Sequence, residues 1–152
     1  MNVEWRDFLK QTGADWNDDL AMRFGQSNAE SSATLKSNVC CDLSHLGLIV
    51  VHGPDTERFL QGQLTCDVRQ VTMQYIRTGA HCNPKGRVLA CFRLFRREDA
   101  YYLELPKVMV NATLGRLRKY LLRAKAVLED ASDALARLGV AGPNAADLVV
   151  SV

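Results

Sequence analysis

The sequence is short of most features that mark a protein for a special class. No apolar run approaches the roughly 20 residues a membrane-spanning helix needs. The opening segment MNVEWRDFLKQ has no basic region followed by an apolar one, so a secretory signal is not expected. Charge of one sign is not in excess: 19 Lys and Arg stand against 17 Asp and Glu, for a net charge of +2. That balance gives no argument for a polyanion partner, and direct nucleic-acid binding and membrane association are not expected. There is no serine in a nucleophile elbow, no HExxH and no glycine-rich phosphate loop. His45, His52 and His81 stand alone, without a second ligand at helical or strand spacing. Of these, His52 follows a buried strand and reads as a core or turn imidazole. No catalytic constellation follows. The five cysteines, Cys40, Cys41, Cys66, Cys82 and Cys91, never form C-x-x-C. Cys40 and Cys41 are neighbours, which on a strand point to opposite faces and make poor co-ligands. No metal is expected, and free thiols in a reducing cytoplasm are the consistent reading.

What is present is an ordinary globular composition, 47% apolar and 24% charged over 152 residues, long enough for one domain with a real core. Its organising stretch runs from Leu46 to Val68, LGLIVVHGPDTERFLQGQLTCDV. The apolar Leu48–Val51 run predicts a buried strand, stopped by Gly53-Pro54-Asp55. Pro54 suits the first turn of a helix, and Asp55 and Glu57 suit its positive dipole end. Phe59, Leu60 and Leu64 then share one helix face, with Gln63 beside them.

On either side of this stretch the signals vary in strength. Residues 3–11 predict a short helix with Val3, Phe8 and Trp5 towards the body. Residues 15–38 are rich in Ser, Asn, Ala and Gly and predict an extended or weakly ordered lead-in, packed loosely through Met22, Phe24 and Leu35. Downstream, 71–78 reads as an extended connection and 80–83 as a strand. Asn83-Pro84-Lys85-Gly86 matches a type I turn position by position. Residues 87–97 predict a long strand apolar on both faces, and 100–105 returns with Tyr101, Leu103 and Leu105 on one face. After Pro106, Val110, Leu114, Leu117 and Leu121 mark an amphipathic helix, followed by a short strand at 126–129. The segment from Leu138, with Gly142-Pro143-Asn144, echoes Gly53-Pro54-Asp55. It reads either as a terminal strand and helix or as the start of a second unit.

Two polar features could bind a ligand. The turn at 83–87 presents Lys85 and Arg87, charge-assisted donors for a carboxylate or phosphate, or simply forms a hairpin with solvated tips. Arg116, Arg118, Lys119, Arg123 and Lys125, with Tyr120 among them, form a solvated helix end or a polyanion surface.

The wording of two motifs goes further. G-P-D-x-x-x-F-L-Q-G-Q-L-T-x-D-V (Gly53 to Val68) and A-H-C-N-P-K-G-R-V-L-A-x-F-R-L-F (Ala80 to Phe95) resemble the N-terminal half of the YgfZ family, folate-binding proteins related to the glycine cleavage T-protein aminomethyltransferase. The resemblance implies an α+β, ferredoxin-like antiparallel sheet with helices packed on one face. It implies a division into a lead-in (1–43), a folate-binding-type domain (44–135) and the truncated start of a second unit (136–152). It also implies tetrahydrofolate or a derivative as ligand, iron–sulfur proteins as partners, and an accessory role in iron–sulfur assembly or repair and thereby in tRNA modification. Carried onto this chain, folate or anion contacts fall on Leu46, Asn83, Lys85 and Arg87. The structural motif falls on Gly53, Asp55, Phe59, Gln63, Thr65, Asp67 and Gly86. Three departures stand out. The family's K-G-C-x-x-G-Q-E is absent, Leu46 stands where a stacking Trp can occur, and Ala90 and Cys91 stand where aminomethyltransferases carry acids. A carboxylate base is thus missing there. The alternatives are a tetrahydrofolate-dependent aminomethyltransferase of the T-protein type and a non-enzymatic module completed by a partner chain.

Overall fold

The computed structural model describes residues 2–150. In chain order the elements are α1 (Val3–Gln11), β1 (Asp15–Asn17), β2 (Leu20–Arg23), α2 (Ser27–Lys36), β3 (Val39–Asp42), β4 (Leu46–His52) and α3 (Thr56–Gln61), then β5 (Arg77–Cys82), β6 (Val88–Arg97), β7 (Ala100–Pro106), α4 (Lys107–Lys119), β8 (Val127–Asp130), β9 (Leu138–Ala141) and α5 (Ala145–Val150). Contacts divide the chain into two units. One is Leu46–Ser132, and the other joins the residues up to His45 with those from Asp133 onward.

The Leu46–Ser132 unit is an antiparallel five-stranded sheet in the order β5-β6-β7-β4-β8. Taken without β5, its chain order β4-α3-β6-β7-α4-β8 and spatial order β8-β4-β7-β6 are those of a ferredoxin-like fold, and β5 is an added edge strand. Strand alternation explains the layering. Ile49 and Val51 of β4, Ala90, Phe92 and Leu94 of β6, and Tyr101, Leu103 and Leu105 of β7 are buried on one face. Against them pack Phe59 and Leu60 of α3 and Val110, Leu114 and Leu117 of α4. Each such aliphatic or aromatic side chain contributes about 1.5–3 kcal/mol through burial. Gly47 belongs to this face, since a Cβ there would lie 2.4 Å from Val110 Cγ2 and 3.2 Å from Lys107 Cα. The strand at 87–97 is buried on one face only, at Ala90, Phe92 and Leu94: on the other, Leu89 and Phe95 are half-buried and Cys91 and Arg93 exposed. Apolar Leu89 and Phe95 on the second face disguise the period of two.

Asp55 also plays a different part from the one its position suggests. It precedes α3 without capping it, and its carboxylate instead accepts the Lys125 N–H at 2.7 Å, while its own N–H donates to the Lys125 carbonyl at 3.2 Å. The turn after β4 is thereby latched to the approach of β8. Gly53, at φ +117, permits the closeness, because a Cβ there would sit 2.6 Å from the Lys125 oxygen.

In the other unit, β1 and β2 form a hairpin held by an Arg23–Asp15 ion pair of 2.7 Å, and β3 pairs antiparallel with β9. Residues 15–38 thus carry a hairpin and a helix rather than an extended lead-in. The polar sequence hides them because they bury little: α2 has no buried residue, and Met22, Phe24 and Leu35 are exposed. On α1 the buried residue is Leu9, whereas Val3 and Phe8 are 72% and 51% exposed. Phe8 stacks on Trp5, whose indole N–H donates to Asp42 at 2.9 Å.

Candidate functional site

Helices cover one face of the five-stranded sheet, and the side chains of the other face form a grid that the register spells out. One row runs Thr78, Arg93, Glu104, Leu48 across β5, β6, β7 and β4. The next runs Phe95, Tyr102, Val50, Glu129 across β6, β7, β4 and β8. Phe95 and Tyr102 stack with ring centroids 5.2 Å apart and planes 8° from parallel. Their edge of the face is half-buried and apolar, the surface a flat conjugated ring system packs against. Beside them Arg93 and Glu104 form a close ion pair, with Arg93 half-exposed and the Glu104 side chain only 10% exposed. Leu48 of the first row is fully buried, so the open part of this face lies towards β6 and β7, where it combines an aromatic platform with a fixed cation and anion.

Cys91 lies on this face opposite Ala80, and its neighbour Ala90 points into the core at 5% exposure. Of positions 90 and 91, only 91 looks out onto the open face. Its thiol is exposed.

Leu46 begins β4, pairs with Pro106 and belongs to the open face, since the next residue, Gly47, faces the helices. Continuing the β6–β7 register puts Cys91 level with Pro106, so Leu46 and Cys91 stand two strands, roughly 10 Å, apart. The turn at 83–87 lies beyond that same end of the sheet. Asn83, Lys85 and Arg87 are brought together in it, whereas Leu46 comes near them only through the sheet.

The turn closes as its residues require. Gly86 N–H donates to the Asn83 carbonyl at 2.9 Å, and Gly86 adopts φ +76. The Asn83 side-chain oxygen accepts from both the Lys85 and the Arg87 N–H at 3.0 Å. Asn83 is thus committed to the loop, and the ligand-facing groups are the exposed Lys85 and Arg87.

The remaining motif residues are structural ties. Thr65 grips β5 twice, its N–H donating to the Ala80 carbonyl at 3.0 Å and its hydroxyl accepting the Ala80 N–H at 2.8 Å. The Gln63 carbonyl accepts from Nδ1 of His81, which is 3% exposed, so His81 is the core imidazole of the chain. His52 is instead half-exposed, with Nε2 3.8 Å from Glu129. Asp67 caps a short 3₁₀ turn at Val68–Gln70 and bonds the Arg69 guanidinium at 2.8 Å, which lowers its pKa. Burial pushes the Cys66 thiol above its ordinary value, which opposes thiolate formation. Among the described residues no group of three or more His, Cys, Asp or Glu could hold a metal, and no helix is long and apolar enough to cross a membrane.

Sequence reasoning missed Arg93, Glu104, Phe95 and Tyr102. A signal was available in the alternation of A-C-F-R-L-F against Y-Y-L-E-L, but the strand register was needed to pair the residues.

Known proteins with the same pattern bear on this geometry. The GCVT N-terminal domain family matches residues 4–152. The tRNA-modifying protein YgfZ of Colwellia psychrerythraea is 34% identical over 119 residues, covering 78% of this chain and 36% of that protein. That of Photorhabdus laumondii is 39% identical over 115 residues, covering 75% and 34%. The chain spans about a third of the length of these relatives. Among solved structures, the glycine cleavage system aminomethyltransferase T of Bartonella henselae superposes with a TM-score of 0.79 at 21% identity, over 99% of this chain and 43% of that one. That likeness is one of fold.

Proposed function

Since the chain belongs to the GCVT N-terminal domain family, in its YgfZ branch related to the glycine cleavage T-protein, we propose that it is part of a folate-binding accessory protein that supports iron–sulfur assembly or repair and, through iron–sulfur enzymes, tRNA modification. The observation that carries this reading is the open sheet face. It offers apolar surface to a flat ring system, with Leu46 and Leu89 at the end nearest the exposed cations Lys85 and Arg87 and the Phe95–Tyr102 platform at the other end. A folate has both complements, a planar pterin and a glutamate tail with carboxylates. On this reading the pterin packs at the Leu46 end of the face, and the tail carboxylates meet Lys85 and Arg87. Folate brings a carrier for one-carbon units. The chain's own residues bind and orient it, and Asn83 keeps the cationic turn in shape.

Aminomethyl transfer finds less support. Position 90 is inside the core and position 91 is a thiol; of the carboxylates on the same face, Glu104 is already held by Arg93 and Glu129 lies on the far edge strand β8, 3.8 Å from His52. No free carboxylate is thus poised beside position 91 as a base.

Calorimetric titration of the intact protein with 5-formyltetrahydrofolate tests the reading. Saturable heat that weakens in Lys85→Ala/Arg87→Ala, and strengthens in Leu46→Trp through added stacking, supports it. No heat with the wild-type protein removes folate from the account. A tetrahydrofolate-dependent turnover of an aminomethyl donor would overturn the accessory role in favour of catalysis.

A further inference from the structure

The helix-covered side of the Leu46–Ser132 unit carries a cleft of about 650 Å³ between the end of α3 and the segment that follows α4. Its floor is apolar, from the buried Phe59 and half-buried Leu121, and the exposed Tyr120 stands on its wall. Two guanidinium groups, Arg58 and Arg123, line it from segments far apart in sequence. Both are exposed, and among the described residues neither makes an ion pair or a side-chain hydrogen bond. The single carboxylate in the lining, Asp55, is occupied by the Lys125 N–H.

The basic run after Arg116 is therefore not a uniform solvated face. Arg118 is a structural group that donates to the Leu128 carbonyl at 2.7 Å. Lys119 lies in the last turn of α4, where a cation offsets the helix dipole. Arg123 lies past the helix end and has neither duty. Its convergence with Arg58 concentrates positive charge beside an aromatic ring and an apolar floor. Leu122, between Tyr120 and Arg123, adopts φ +43 with its side chain 89% exposed. A leucine is rarely found in that conformation.

We propose that this cleft binds a nucleoside phosphate, with the base on Tyr120 and the apolar floor and the phosphate on Arg58 and Arg123. A free nucleotide and a nucleotide within single-stranded RNA share this chemistry. The site is on the helix-covered side of the sheet, so it does not rest on the folate reading of the open face.

Two probes separate the sources: adenosine 5′-monophosphate by calorimetry, and a fluorescein-labelled single-stranded hexaadenylate RNA by anisotropy, each with the intact protein. Saturable binding of either, weakened roughly tenfold or more in Arg58→Gln/Arg123→Gln and unchanged in Arg97→Gln, supports the site. For the RNA, log K should fall with log salt at a slope of about −1.4 if two phosphates are engaged. Binding of the hexamer alone identifies a strand, and equal affinity for the mononucleotide identifies a free nucleotide. Tyr120→Ala supplies a second variant should the double variant not fold, with an expected loss of about fivefold or more. Absence of binding by both probes overturns the proposal. So does binding that the cleft variants leave at the wild-type level.

Discussion

Replacing Gly53 by alanine puts a number on the latch between the β4–α3 turn and the approach to β8. At φ +117 an L-residue is strained by roughly 1–2 kcal/mol. The new Cβ would stand 2.6 Å from the Lys125 oxygen and 3.1 Å from Ala126 Cα, contacts with backbone rather than with a side chain that can swing aside. Relief requires the 125–126 segment to withdraw, which stretches both bonds between Asp55 and Lys125. The bond to the carboxylate contributes about 1.5–3 kcal/mol and the amide–carbonyl bond about 1. The expected loss is about 3.5–6 kcal/mol, a large part of the roughly 5–15 kcal/mol that holds a domain together. Gly86 is the internal control. It also has positive φ, +76, but nothing lies within 4 Å of its missing Cβ, so Gly86→Ala should lose only the conformational part, about 1–2 kcal/mol. Urea unfolding of the wild type and both variants, followed by far-UV circular dichroism, measures the difference from the midpoints at common slope. A Gly53→Ala loss within about 1 kcal/mol of that of Gly86→Ala would refute the argument that close backbone approach, and not φ alone, makes Gly53 necessary.

Two further outcomes follow from the packing. Ala90→Asp buries a carboxylate among core side chains without a partner and should cost about 3–5 kcal/mol, whereas Cys91→Asp, on the exposed face, should change stability by about 0.5 kcal/mol or less. Thermal melts that rank the two variants the other way would reverse the facing of the strand. Tyr101 is held neutral by burial and then by its hydrogen bond to Glu57, and its pKa is raised above 10.0. Its folded value exceeds its unfolded one, so the stabilisation is fully present below pH 10 and is lost as pH rises through the folded value. A spectrophotometric titration at about 295 nm should show a tyrosine phase displaced above 10.0, from Tyr101. That phase should vanish in Tyr101→Phe, and a late phase that survives the substitution would place the raised pKa elsewhere.

The parts of the fold legible in the sequence are those whose period is written locally. Tyr101, Leu103 and Leu105 alternate, and Val110, Leu114 and Leu117 recur at helical spacing; all six are buried as that pattern requires. The Asn83–Gly86 turn was legible because each position has its own chemical demand. Non-local ties were not. The hairpin β1–β2 is held by a polar Arg23–Asp15 pair, and β3 finds its partner near the far end of the chain, so neither leaves an apolar period to read. The same division runs through the candidate site. Lys85 and Arg87 could be named from a pentapeptide, but Arg93, Glu104, Phe95 and Tyr102 become a surface only when register sets β6 against β7.

Gly142-Pro143-Asn144 resembles Gly53-Pro54-Asp55 in few letters, yet the two turns solve one packing problem. Each follows a strand and leads into a short helix, and each glycine has strongly positive φ, +132 and +117. A Cβ on Gly142 would lie 2.6 Å from Asn38 Cα and 2.6 Å from the Ser37 oxygen, much as one on Gly53 would meet Lys125. Each turn is also tied to that neighbour by an Asx side chain, but in opposite senses. In the first the turn supplies the acceptor, Asp55, to the Lys125 N–H; in the second the neighbour supplies it, Asn38, to the Asn144 N–H at 3.0 Å. Close backbone approach dictates glycine, and the tie needs only one carboxylate or amide oxygen on either side. The glycine therefore recurs while the acid need not, which is why so strong a geometric likeness leaves so faint a trace in the sequence.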